Sequence, residues 1–132
     1  AGQIQLTKDR YLAAIERAIA VPDGDRLFHE VVGVESRSTW PQSRADWLRS
    51  NRRLRSEIER VANRLGRLAP PAEVAEIHAD WISSLRTCAA RFRRLEDESP
   101  LDALIAEQEI QPCHDAQREI CERFYAKDYS FG

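Results

Sequence analysis

Arg67-Leu68-Ala69-Pro70-Pro71-Ala72-Glu73-Val74-Ala75-Glu76-Ile77-His78-Ala79-Asp80-Trp81 is the stretch on which the fold turns. The residue before a proline avoids the α region, so a helix arriving from upstream must end at Pro70-Pro71. A proline also suits the first turn of the helix that leaves, and Pro71 takes that place. Upstream, Trp47, Asn51, Leu54, Ile58, Val61, Leu65 and Leu68 recur at spacings of three and four, the stripe of one long amphipathic helix. Downstream, Val74, Ile77 or His78, Trp81, Leu85, Cys88, Phe92 and Leu95 make a second stripe. Glu73 and Glu76 lie near the positive start of that helix, and Arg91, Arg93 and Arg94 near its negative end. Two long helices, over about 43–69 and 71–97, meeting at so tight a corner predict an antiparallel hairpin with Trp47 and Trp81 near its opposite ends.

Working outward, Thr7 precedes Tyr11, Leu12, Ile15, Ala18 and Ile19, a helix that Val21-Pro22-Asp23-Gly24 stops. Asp25 can cap a shorter helix carrying Leu27, Phe28, Val31, Val32 and Val34, and residues 36–42, with Trp40, read as a loop before a candidate cap at Ser43. On the far side, Ser99-Pro100 opens a helix with Leu101, Leu104 and Ile105. Pro112 is expected to break or kink it. A last segment carries Cys113, Ala116, Ile120, Phe124 and Tyr125, and the tail after Asp128 is expected to fray. The sum is an all-α antiparallel bundle of four to five helices in a single domain, 1–132.

Composition agrees with that class. The 132 residues are 42% hydrophobic and 32% charged, enough apolar surface to offset chain entropy, and no run nears the ~18 apolar residues of a membrane-spanning helix. Five Gly and few short runs of Val, Ile and Thr argue against an all-β fold. The net charge of -2 conceals an uneven chain. Residues 44–67 hold eight Arg against Asp46, Glu57 and Glu59, whereas residues 96–132 hold ten acids against Arg118, Arg123 and Lys127. Packed side by side, the two segments would neutralise one another. There is no Met, so Ala1-Gly2-Gln3 is expected to follow either a removed signal peptide or a cleaved tag.

Cys113 and Cys121 on one helix stand about 12 Å apart, too far to bond one another. Cys88 and Cys113 flank the Ser99-Pro100 corner at nearly equal distances, so antiparallel neighbours bring them together, and this is the pairing the spacing favours. A bend at Pro112 would offer Cys121 to Cys88 instead, and three free buried thiols are the plain alternative.

Chemical motifs are few. His78, His114, Cys113 and Cys121 lack the short spacing of a zinc site, and Asp23-Gly24-Asp25 lacks the remaining ligands of a calcium loop, so no metal or other cofactor is expected. Cys113 and His114 are adjacent and point apart on a helix, and no phosphate loop or nucleophile elbow occurs, so no enzyme is expected either. His78 on an apolar stripe reads as a hydrogen-bonded residue between helices. The candidate partner surface is Trp40 with Arg49, Arg52, Arg53, Arg60 and Arg64. Nucleic acid is disfavoured by a pI near 6.0 and by missing aromatic platforms.

The stretch from Arg67 to Trp81, with Leu85 and the Arg-rich apolar run to Leu95, resembles a pattern in small bacterial secreted proteins and lipoproteins of uncharacterised activity, in which two long helices meet at a Leu-x-Pro-Pro corner and a His follows. The resemblance, confined to residues 44–95, implies an all-α bundle outside the cytoplasm and transfers no functional residue. The expected function is thus a non-enzymatic, extracytoplasmic interaction or structural module. The alternative is a cytosolic helical regulator that binds nucleic acid or an acidic protein through the Arg-rich helix 44–67.

Overall fold

A computed structural model describes residues 4–21, 44–98 and 103–131. They form four α-helices and no strand: α1 (Lys8–Ala18), α2 (Arg44–Gly66), α3 (Ala75–Glu98) and α4 (Ala103–Ala126), with a single 3-10 turn, Ala72–Val74, ahead of α3. The expected helix over residues 25–34, Trp40 and the Ser43 and Ser99-Pro100 caps lie outside the described residues.

The double-proline corner behaves as its chemistry requires, with one shift. Pro71 caps the 3-10 turn from extended backbone instead of sitting in the first turn of α3. Both ends of the corner close by backbone bonds, Leu68 N–H to Leu65 O and Val74 N–H to Pro71 O. The N-terminal segment braces it from outside: the Leu6 N–H donates to Ala69 O at 2.8 Å and the Gln5 amide to Pro70 O at 3.2 Å. Beyond the corner α2 and α3 run antiparallel, as the bond from Asn51 to the Phe92 carbonyl shows.

The stripes bury as two connected clusters. Near the corner, Leu65, Val61, Val74, Ile77, Trp81 and Leu85 meet Tyr11 and Ile15 of α1 and Ile120 and Phe124 of α4. At the open end, Trp47, Leu54, Phe92 and Leu95 meet Ile110 and the Cys88 and Cys113 sulfurs. Trp47 and Trp81 thus stand in different clusters.

One expectation for the end of the chain is narrowed and one is corrected. Of the break or kink expected at Pro112, the break does not occur, since α4 runs from Ala103 to Ala126 with Pro112 inside it. Pro112 is on the exposed side, where water can satisfy the carbonyl its ring leaves without a donor. The described part of the tail, to Phe131, does not fray. Asp128 adopts a left-handed φ of 63°, the Tyr129 N–H reaches back to Phe124 O and the Asp128 N–H to Tyr125 O. That pair of bonds is a Schellman ending, and its usual apolar contact is present as Tyr129 against Phe124. Tyr129 is buried, and Phe131 stacks on Trp81 with ring centroids 5.3 Å apart.

A residue with a Cβ is strained at such a φ, so Asp128→Gly is expected to raise stability by about 1 kcal/mol. Tyr129→Ala is expected to cost about 3 kcal/mol through lost aromatic burial. Urea denaturation midpoints check both; a neutral Tyr129→Ala would show that the tail is not packed.

Candidate functional site

Three features carry the chemistry of the described residues: the His78 brace, the cysteine bridge, and the charged outer faces of α2 and α4.

His78 is buried and both its ring nitrogens are bonded. Nε2 lies 2.8 Å from the Leu65 carbonyl at the end of α2, and Nδ1 lies 2.7 Å from the Tyr11 hydroxyl on α1. A carbonyl oxygen only accepts, so Nε2 carries the hydrogen. In the neutral ring Nδ1 is then the acceptor and the Tyr11 hydroxyl donates to it. Burial pushes the His78 pKa down, partly opposed by the Leu65 carbonyl, and burial with the nearby Tyr129 pushes the Tyr11 phenol up. Both groups are therefore neutral at pH 7. Beside them, the Tyr129 hydroxyl donates to a Glu73 carboxylate oxygen, and burial with that carboxylate pushes the Tyr129 phenol up to about 12.

Cys88 and Cys113 are bonded, with Cα atoms 5.5 Å apart, and tie α3 to α4 across the 25-residue separation. Cys121 is free and exposed on α4, and partial burial and Glu122 push its thiol up, away from the reactive thiolate. The bridge stands between two cavities. One, of about 390 Å³, is an apolar groove lined by Leu54, Ile58, Val61, Leu85, Phe92 and Ile110 with the bridge. The other, of about 320 Å³, is a polar cleft lined by Asp80, Ser83, Ser84, Thr87, Arg91 and Pro112 with the bridge. His78 lines neither cavity.

Of the candidate surface arginines, Arg49, Arg52, Arg53 and Arg60 are exposed on the side of α2 turned away from Trp47, Leu54 and Val61. Arg49 pairs with Asp46 at 2.9 Å and Arg60 with Glu57 at 2.8 Å, each within one helix turn. Arg53 has no ion pair among the described residues. Arg64 is half-buried and its guanidinium donates to the Ala18 and Ala20 carbonyls, closing the C-terminal end of α1 where carbonyls lack partners. Trp40 lies outside the described residues.

The expected mutual neutralisation of the basic and acidic segments is realised at Glu96, which takes Arg55 at 2.9 Å and Arg52 at 3.8 Å. The described acids of α4 do not follow suit. Asp115, Glu119 and Glu122 are exposed and turned outward, because α4 packs chiefly on α3 while its apolar residues face the core. The Arg55–Glu96 contact adjoins Asn51, whose amide nitrogen donates to Phe92 O and to Glu96. The Asn51 Oδ1 is buried without a partner. A polar residue in an otherwise apolar heptad stripe is the signal that marks this register-setting contact.

Comparison of the chain with protein-family models, with curated proteins and with solved structures finds no match.

With the folded His78 pKa below the unfolded value of about 6.5, the unfolded chain takes up the proton first as pH falls. Stability is therefore complete above about pH 6.5 and declines below it, by at most about 1.4 kcal/mol per pH unit. Urea midpoints between about pH 8 and 5 should show this slope in the native chain and a shallower one in His78→Gln; equal slopes would contradict the assignment.

Proposed function

We infer that this chain is a non-enzymatic helical interaction module that works outside the cytoplasm. The observation that carries the inference is the Cys88–Cys113 bridge, which fastens α3 to α4 and so gives the outward face of α2 a fixed frame through the hairpin. Structural disulfides persist in oxidising compartments and are rare where glutathione and thioredoxin keep thiols reduced. Closing a loop of this length contributes about 3 kcal/mol in the chain-entropy model, a large share of a small domain's net stability.

The side chains with most catalytic potential support the same inference. His78 has its Nε2 hydrogen on Leu65 O and its Nδ1 bonded to Tyr11, so neither nitrogen is offered to a substrate. Cys121 lacks the electropositive surroundings that make a nucleophilic thiolate, with Glu122 acting against it. The resemblance of the Leu-x-Pro-Pro corner to small bacterial secreted proteins points to the same compartment. In this setting the exposed residues Arg49, Arg52, Arg53 and Arg60 serve a partner surface.

Peptide mapping without reduction, on protein recovered from an oxidising compartment, tests the inference. The expected result is a Cys88 peptide linked to a Cys113 peptide, with Cys121 alkylated alone. Recovery of Cys88 as an alkylated thiol, or linked to Cys121, would contradict it.

A further inference from the structure

Two charged stripes of opposite sign lie on different helices, one on α2 and one on α4. On α2, Arg49, Arg53 and Arg60 follow one another at i, i+4 and i+11, a stripe about 16 Å long at ~1.5 Å per residue. On α4, Asp115, Glu119 and Glu122 follow at i, i+4 and i+7, a stripe about 10 Å long. Both stripes stand opposite the apolar residues of their own helix, and α3 packs against each helix. Consequently the stripes point outward in different directions and cannot satisfy one another within a chain. The local pairs Arg49–Asp46, Arg60–Glu57 and Arg118–Asp115 are solvent-exposed and worth little individually, so they do not hold these side chains back.

We propose that the arginine stripe of α2 docks on the acidic stripe of α4 of a second copy of this chain. The inference deepens the interaction-module reading by naming the partner, and it rests on that reading. A second copy is the partner whose charge is already on the page. It matches both stripes at once, with helical spacing on each side, whereas a nucleic acid would match the arginines and be repelled by α4. The contact is heterologous, since one face meets a different face, so each added copy leaves one stripe of each sign open and association continues past the dimer. Exposed charge pairs give a weak, salt-sensitive contact.

Sedimentation velocity over a concentration series tests it. At low salt the weight-average sedimentation coefficient of the native chain is expected to rise with concentration, and at about 0.5 M salt to stay at the monomer value. The variant Arg53→Glu with Arg60→Glu, and separately Glu119→Arg with Glu122→Arg, should each remain monomeric, and an equimolar mixture of the two should associate again. Arg10→Glu with Arg17→Glu, exposed on α1 and of the same net charge change as the first variant, should associate like the native chain. All of these positions are exposed, and circular dichroism verifies that each variant is folded. A native chain that stays monomeric at low salt overturns the proposal. So does a mixture that fails to associate, an α1 variant that loses association, or a monomeric native chain that binds duplex DNA through α2. The disulfide map is unaffected by any of these outcomes, so failure here and failure of the compartment assignment are told apart.

Discussion

The buried imidazole of His78 is the constraint on which the rest of the bundle depends. Among the described residues it is the side chain that binds both the end of α2, through the Leu65 carbonyl, and the first turn of α1, through Tyr11, while itself belonging to α3. The double proline can turn the chain between α2 and α3, but a turn alone does not fix where the two helices touch. The His78–Leu65 bond sets that register at the corner, and Asn51 donating to the Phe92 carbonyl sets it again at the open end. The Tyr11 ring lies against the imidazole, centroids 5.5 Å apart, and itself packs on Phe124 and Tyr129, so the buried brace adjoins an aromatic cluster and its loss is costly.

That arrangement assigns the chemistry of the chain to its architecture. The bridge joins α3 to α4, Arg64 closes the end of α1, and Glu96 gathers Arg52 and Arg55 onto the α2–α3 seam. Among the described residues, the arginines Arg49, Arg53 and Arg60 stay turned to solvent on α2 and the acids Asp115, Glu119 and Glu122 on α4. A rigid frame with spatially separated charge is suited to binding, and this links the fold to the proposed role.

Much of this was legible in the sequence because it rests on local rules. Spacings of three and four gave α1, α2 and α3, the prolines gave the corner, and antiparallel geometry gave Cys88 with Cys113. The misses share one cause: they are tertiary. Pro112 reads as a break or a kink, and the break is avoided because its exposed side leaves the carbonyl to water, which propensity cannot know. The tail reads as frayed because Asp128 carries no glycine signal for a left-handed ending, and Tyr129 finds its place only where α1, the corner and α4 meet. Arg64 reads as surface because the orphan carbonyls of α1 lie 44 to 46 residues away in sequence. Charge runs, likewise, report amount along the chain but not the direction in which a helix face points.

The most direct measurement of the central claim is nitrogen-15 NMR of the His78 imidazole, which reads proton occupancy at each ring nitrogen. A neutral ring with hydrogen on Nε2 and none on Nδ1, persisting below about pH 6.5, is the result expected of a ring that donates to Leu65 O and accepts from Tyr11. A ring that gains its second proton at or above that pH, or that carries its neutral hydrogen on Nδ1, would contradict the account.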